Sequence, residues 1–276
     1  FYKEKKDFGS VDNSWFSAER IGTATAGTKE LMAIFDGVSY FDTPKPVSLL
    51  SKLISLSNSK ESDVILDFFS GSATTAHAVM KLNAEDGGHR KFIMVQLPEV
   101  TDEKSEARKS GYANICEIGK ERIRRAGKKV KEEAGLQGQD LDIGFRVLKL
   151  DTSNMEDVYY TPDDLTERDL FNSVDNVKPD RTPLDLLFQV LPELNIELSA
   201  RIEEKEIHGK KVFMVNDDLL IATFDTDVNE STITEIAKLR PVYFVMRDAS
   251  AENDNVLDNF EQIFKYYSPD TIRRIL

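Results

Sequence analysis

The sequence is poor in the residues that build disulfides and metal sites. Cys116 is its only cysteine, and its three histidines, His77, His89 and His208, lie far apart. A lone cysteine forms no intrachain disulfide, and neither residue type is clustered in the way that zinc ligands are. We therefore expect no metal site and a reducing, cytoplasmic setting.

Long hydrophobic runs are absent as well. A membrane-spanning helix needs ~20 consecutive apolar residues, and no stretch of this chain approaches that length. No signal peptide is visible at the N-terminus. With 276 residues, the chain is predicted to form one large or two ordinary domains that do not cross a membrane.

Positive charge is scarce in the second half of the chain. The net charge is −13, and residues 1–150 hold 23 Lys+Arg and 22 Asp+Glu, whereas residues 151–276 hold 13 and 27, a net of −14. An acidic surface of this kind repels phosphate. The charge balance excludes a chain that clamps DNA along its whole length. It assigns any DNA contact to residues 1–150 or to a region upstream of them.

A strand, a tight turn and a helix follow one another in residues 64–80. The apolar run Val64–Leu66 predicts a buried strand, Ser70–Ser72 predicts a turn, and the next apolar residues have helical spacing. This order places a ligand at the carboxyl end of a strand in an open α/β sheet. The amides at the helix start attract an anion, and Ser72 or Thr74 is predicted to cap that start.

The same turn lacks the features of three common sites. It has no lysine and a single glycine, Gly71, which excludes a P-loop and a dinucleotide fingerprint. Residues 71–73 read Gly-Ser-Ala, which excludes the G-x-S-x-G nucleophile elbow. Two interpretations are left: a ligand with a small carboxylate and a ribose, which describes S-adenosylmethionine, or an ordinary turn without a ligand.

The residues around the turn carry a family resemblance. Residues 67–78, Asp-Phe-Phe-Ser-Gly-Ser-Ala-Thr-Thr-Ala-His-Ala, resemble the cofactor-binding motif of amino-group DNA methyltransferases, and more narrowly the modification subunit of type III restriction–modification systems. Ala73 stands where the family usually has glycine, which bears on how closely a cofactor approaches the backbone. Further segments that resemble the same subunit are residues 41–50, 90–99, 111–123, 181–190, 242–248 and 259–265.

The resemblance implies a set of cofactor contacts. Either Gln96 or Glu99, after the second strand, would hold the ribose hydroxyls, since a carboxylate accepts two hydrogen bonds. Lys45 and Pro46 would line the same pocket, although Lys45 is otherwise a surface lysine and Glu99 a loop acid. His77 is interpreted as a packing or capping residue and not as a catalyst. The residues that the resemblance places around the methionine end of S-adenosylmethionine are Asp67, Phe68, Ser70, Gly71, Ser72 and Thr74.

The family's base-holding motif is missing from the sequence. That motif has an acid or asparagine, two prolines and an aromatic residue in succession, and it holds the flipped target base. None of the nine prolines here is adjacent to another, so no catalytic residue is predicted. Because the chain begins at Phe1, we expect a C-terminal fragment whose catalytic motif lies upstream and which is inactive alone.

The resemblance implies an α/β fold in two domains. Residues 1–150 are predicted to form part of a Rossmann-like methyltransferase sheet that depends on S-adenosylmethionine. An acidic linker, 151–181, and a smaller α/β domain for subunit interaction, 182–276, would follow. The expected activity is methyl transfer to the exocyclic amine of adenine in DNA, with a second modification subunit and a restriction subunit as partners. The alternatives are a cytosine amino-group methyltransferase and a non-catalytic interaction module with a vestigial turn.

Several elements follow from the local pattern. Thr28 is predicted to cap a helix, residues 144–150 to form a strand, and residues 201–215 to form a hairpin with His208-Gly209 at its turn. The basic cluster within residues 120–131 predicts either a phosphate-binding stripe or, as we favour, a solvated helix face.

Overall fold

A computed structural model describes residues 16–59, 62–156, 176–252 and 254–276. The chain divides into two compact units, Phe1–Phe145 and Arg146–Leu276, and both combine helices with strands. The first unit ends five residues before the predicted boundary at residue 150. No helix of the described residues has the length and apolarity that crossing a membrane requires.

The first unit is built around one parallel βαβ element. Strand β1 (Val64–Asp67) and strand β2 (Lys91–Met94) pair in parallel, with Val64 opposite Lys91 and Asp67 opposite Met94. The helix between them confirms the predicted order of strand, turn and helix. The elements of this unit are α1 (Ala18–Ile21), α2 (Ala24–Ile34), α3 (Val47–Leu56), β1 (Val64–Asp67), α4 (Thr74–Asp86), β2 (Lys91–Met94), α5 (Glu106–Lys109), α6 (Ile115–Glu133) and a 3₁₀ turn (Gly135–Gly138).

The two faces of this sheet differ in burial. Ile65 and Phe92 pack against the buried residues of α3 and α4, so this face belongs to the core. On the opposite face, Val64, Leu66 and Ile93 are 52%, 51% and 51% exposed. Within the described residues the sheet contains only β1 and β2, and its outer face is an apolar surface.

Helix α6 carries the basic cluster on its solvated side. Lys120 pairs with Glu117 (2.6 Å), and Arg125 pairs with both Glu121 and Asp36 (2.7 Å each). These pairs support the interpretation of a solvated helix face. Arg122 is the exception, because it is fully buried.

Two predicted local features are wrong. Helix α2 begins at Ala24 because Thr23 accepts a hydrogen bond from the Ala26 amide, and Thr28 lies inside the helix. Its hydroxyl donates to the Ala24 carbonyl and caps nothing. Residues 144–150 have no regular secondary structure, although their apolar alternation is typical of a strand.

Within its described residues, the second unit contains a five-stranded mixed sheet whose neighbouring strands follow chain order: β3 (Ile202–Ile207), β4 (Lys210–Val215), β5 (Leu220–Thr223), β6 (Tyr243–Met246) and β7 (Ile272–Ile275). The β3–β4 and β4–β5 pairs are antiparallel and the other two are parallel. The predicted hairpin is confirmed, with His208 and Gly209 at positive φ in its turn. Its elements are α7 (Pro183–Glu193), β3 (Ile202–Ile207), β4 (Lys210–Val215), β5 (Leu220–Thr223), α8 (Glu230–Lys238), β6 (Tyr243–Met246), a 3₁₀ turn (Asp248–Ser250), α9 (Asp254–Tyr267) and β7 (Ile272–Ile275).

Alternation along the strands gives this sheet two cores. Phe213 and Val245 face a cluster with α7, whereas Met214 and Phe244 face a cluster with α8 and α9. The three central strands, β4, β5 and β6, are therefore largely buried on both faces, as is expected for a sheet between helical layers.

The predicted acidic linker is only partly described. Met155 and Val177 form an isolated antiparallel bridge, and residues 157–175 between them lie outside the described residues.

Candidate functional site

The turn before α4 has an unusual backbone. Gly71 and Ala73 both have positive φ, 51° and 59°, and Ala73 is the N-cap residue of α4 with no side-chain cap. The prediction that Ser72 or Thr74 caps the helix is therefore wrong. The first hydrogen bond of the helix runs from the His77 amide to the Ala73 carbonyl (3.4 Å). The amides of residues 74–76 have no acceptor within the helix, which is the arrangement that receives an anion.

The carboxylate at the end of β1 holds the turn in place. Asp67 accepts hydrogen bonds from the Phe69 amide at Oδ1 (3.1 Å) and from the Thr75 hydroxyl at Oδ2 (2.5 Å). The Ser70 amide donates to the Val95 carbonyl (3.2 Å). These bonds tie the start of the turn to the ends of both strands. Phe68 and Phe69 are 62% and 86% exposed.

A side chain after β2 reaches the same turn. The Gly71 amide donates to Gln96 Oε1 (2.7 Å), and Gln96 Nε2 donates to the Leu97 carbonyl (3.2 Å). The Cys116 thiol donates to the Gln96 carbonyl (3.4 Å), and burial raises the pKa of this thiol. The structure thus brings Gln96 to the turn, whereas Glu99 is exposed.

The segment with Lys45 and Pro46 lies between α2 and α3. Pro46 is buried and Lys45 is exposed, and the Val47 amide donates to Glu30 Oε2 (2.7 Å). This segment reaches the turn through Phe41, whose Cζ would lie 3.1 Å from a Cβ at Gly71.

Helix α6 contributes a buried cation beneath the turn. Arg122 Nη1 donates to Ser72 Oγ (2.9 Å), to Thr74 Oγ1 (2.6 Å) and to the Ser72 carbonyl (3.4 Å). Ser72 and Thr74 are 2% and 5% exposed, so their hydroxyls face the protein interior.

Arg122 was not predicted as a site residue because it lies in a run of basic residues. Helical spacing does contain the signal: Arg122 follows Ile118 by four positions and precedes Ala126 by four, and both neighbours are fully buried. A charged residue on the apolar stripe of a helix indicates a buried role.

His77 is held in its neutral form. Its pKa is lowered from 6.5 to about 3, first by burial and then by the positive charges of Arg122, Lys81 and Lys129. Its Nδ1 is buried and has no hydrogen-bond partner among the described residues. These features fit the packing role predicted for His77.

We expect the stability of the chain to fall at mildly acidic pH because of His77. The folded-state pKa lies below the unfolded value, so the stabilisation is present above pH 6.5 and is lost as the pH falls towards 3. From pH 7 to pH 5 the free energy of unfolding should drop by about 2 kcal/mol from this residue. Urea unfolding at both pH values, compared between the wild type and His77→Gln, measures the effect. The exposed His89→Gln is the control, and an unchanged pH slope in His77→Gln would contradict the expectation.

Comparison with known proteins shows which family the segment with this turn resembles. Residues 2–128 match the DNA methylase family. The chain is 40% identical over 158 residues to the type III restriction-modification enzyme StyLTI Mod subunit of Salmonella typhimurium, covering 57% of this chain and 22% of that protein. It is 39% identical over 143 residues to the type III restriction-modification enzyme EcoP15I Mod subunit of Escherichia coli, covering 49% of this chain and 22% of that protein. It is also 42% identical over 91 residues to the type II methyltransferase M.KpnI of Klebsiella pneumoniae, covering 33% of this chain and 21% of that protein.

These matches cover only part of this chain and a small part of each relative. The chain spans about a fifth of the length of these curated relatives. The family match ends at residue 128, so the resemblance of residues 181–265 stays a prediction. For the part of the chain that carries the turn, the resemblance to amino-group DNA methyltransferases, and among them to type III modification subunits, is confirmed.

Proposed function

We propose that this chain supplies the S-adenosylmethionine-binding part of a site-specific DNA methyltransferase in a restriction–modification system. The acceptor would be the exocyclic amine of adenine. One observation carries the proposal: the turn between β1 and α4 combines a positive-φ glycine with first-turn amides that lack helical acceptors, inside a segment that matches DNA methylases. When bound, the donor supplies a methyl group on a sulfonium centre.

The residues of the turn fit the amino-acid end of such a donor. The amides of residues 74–76, at the positive end of α4, suit its carboxylate. Gly71 allows close approach because it has no side chain, and Asp67 keeps the turn in register with β1 through its two hydrogen bonds. In this proposal Ser72 and Thr74 contribute through their backbone, since Arg122 engages both hydroxyls.

The remaining predicted contacts surround this turn. Either Gln96 or Glu99 would hold the donor's ribose, and the reach of the Gln96 side chain to the Gly71 amide supports Gln96. Phe68, more than half exposed, and the Lys45–Pro46 segment would complete the pocket. We further propose that β1, α4 and β2 are part of a larger Rossmann-like domain, whose other helices would cover the exposed apolar face of Val64, Leu66 and Ile93.

The sequence lacks the paired prolines that hold the target base in this family. The chain should therefore bind the donor while methyl transfer requires a segment that carries that motif. Positioning of the amine, more than acid–base catalysis, limits this reaction. Double-stranded DNA would contact that other segment, because residues 151–276 have a net charge of −14. We propose those residues as the surface for a second modification subunit or a restriction subunit.

Calorimetric titration of the chain with S-adenosylmethionine tests the proposal. Gly71→Trp should abolish binding, because its side chain would enter the donor's place and meet Phe41. Gly87→Trp is the matched control: Gly87 also has positive φ, lies at the other end of α4, and has nothing within 4 Å of its Cβ position. Gly87→Trp should bind like the wild type.

The outcome separates the enzyme from the interaction module. The Gln96 side chain on the Gly71 amide is the observation that favours a vestigial turn, and a wild-type chain that binds no donor would support that alternative. Incubation with labelled donor and DNA gives a second test, in which robust methylation by the chain alone would refute the need for another segment. Mass analysis of DNA methylated by a whole assembly would distinguish adenine from cytosine as the acceptor.

A further inference from the structure

We infer that Arg122 is a positioning residue that places a fixed positive charge behind the amides that receive the donor's carboxylate and locks the entry to α4. The inference rests on the proposed function and adds to it the residue that selects a carboxylate-bearing ligand. It follows from the contacts of the guanidinium, from its burial and from the approach of α6 to the turn.

The first step concerns how Arg122 fixes the start of α4. A helix start is usually capped by a serine or threonine oxygen, but α4 begins at Ala73, which has no such group and sits in the left-handed region. Arg122 Nη1 bonds the hydroxyls of Ser72 and Thr74, one on each side of Ala73. Both flanks of the strained residue are therefore attached to one rigid group.

The second step is the approach of α6. A Cβ at Gly119 would lie 3.4 Å from the Gly71 carbonyl and 3.6 Å from Ala73 Cβ, so the backbone of α6 packs directly against the turn. Arg122 lies three residues further along the same face. Because the backbone of α6 lies against the turn, the Arg122 guanidinium is held close to the start of α4.

The third step concerns charge. Arg122 is fully buried, and among the described residues no carboxylate forms an ion pair with it, while its Nε and Nη2 have no hydrogen-bond partner. Burying an uncompensated cation is costly, and burial lowers the pKa of Arg122 to about 10, with Glu30 opposing the shift. The group is thus still charged at neutral pH.

This charge has the same sign as the positive end of the α4 dipole, and the two converge on the first-turn amides. A neutral side chain would fill the same space without that repulsion. Once a carboxylate binds at the amides, the charge of Arg122 and the dipole of α4 both attract it.

The test compares two ligands that differ only in the carboxylate: S-adenosylmethionine and its decarboxylated analogue. Arg122→Met removes both the charge and the donors, and it should weaken binding of S-adenosylmethionine ~10-fold more than binding of the analogue. Arg122→Lys keeps the charge and should retain most of the preference for the carboxylate. A merely structural role would weaken both ligands equally, and that result overturns the inference.

A second variant covers the case in which Arg122→Met fails to fold. The double variant Ser72→Ala/Thr74→Val removes the hydroxyl acceptors and leaves the charge, so it should bind both ligands more weakly while keeping the preference for S-adenosylmethionine. Loss of that preference would overturn the inference. A wild-type chain that binds neither ligand would instead refute the proposed function, so the two failures are distinguishable.

Discussion

Replacement of Phe244 by alanine should lower the free energy of unfolding of the second unit by about 3–5 kcal/mol. Phe244 is fully buried in the centre of the sheet, and its ring stacks on Phe264 at 5.0 Å and lies 5.7 Å from Phe260. The variant would lose the transfer energy of the ring and leave a cavity between β6 and α9, where two other large rings limit collapse.

Urea unfolding of the whole chain, with amide hydrogen exchange to localise the effect to β6, measures this loss. Tyr266→Ala is the matched control, because Tyr266 lies on α9 and is 80% exposed. It should change stability by less than about 1 kcal/mol. Equal destabilisation by the two variants would contradict the assignment of Phe244 to the core.

Gly27→Ala is the second change with a large expected effect. A Cβ at Gly27 would lie 2.2 Å from the Pro44 carbonyl oxygen and 2.9 Å from the Lys45 carbonyl carbon, and neither is the end of a flexible side chain. Helix α2 and the Lys45–Pro46 segment must separate to accept it. We expect a loss of about 3 kcal/mol in stability despite the higher helix propensity of alanine.

Thermal unfolding and donor titration measure the two consequences together. If the Lys45–Pro46 segment lines the proposed pocket, Gly27→Ala should also weaken binding of S-adenosylmethionine. Gly119→Ala is the matched control: it is another glycine inside a helix, but its Cβ would have 3.4 Å to its nearest neighbour. It should unfold at about the same temperature as the wild type, and a tolerated Gly27→Ala would show that helix α2 and the Lys45–Pro46 segment separate freely.

The order of elements was predictable because each is specified locally. The apolar run that ends in Asp67, the small residues after it and the helical spacing beyond specify strand, turn and helix within residues 64–80. The hairpin at His208-Gly209 was predictable for the same reason, since alternating strands flank a turn dipeptide. Strand β7 was not predicted, because the short sequence Ile-Arg-Arg-Ile gains its strand conformation only by pairing with β6.

The site was less predictable because its contacts join distant parts of the chain. The Gly71 amide meets Gln96, and Arg122 meets Ser72 and Thr74 across about 50 residues. No local pattern encodes such pairings. The predicted side-chain cap failed for this reason: an arginine from α6 engages both hydroxyls that were expected to cap α4.

The bond from the Cys116 thiol to the Gln96 carbonyl has a practical consequence. Cys116 is the sole thiol of the sequence, and it touches the residue that spans to the Gly71 amide. Only the thiolate reacts with alkylating reagents, and the raised pKa of this thiol makes its modification slow at neutral pH. The rate of its alkylation therefore reports on the contact between Cys116 and the loop after β2, and any ligand that orders this loop should slow the reaction without an engineered probe.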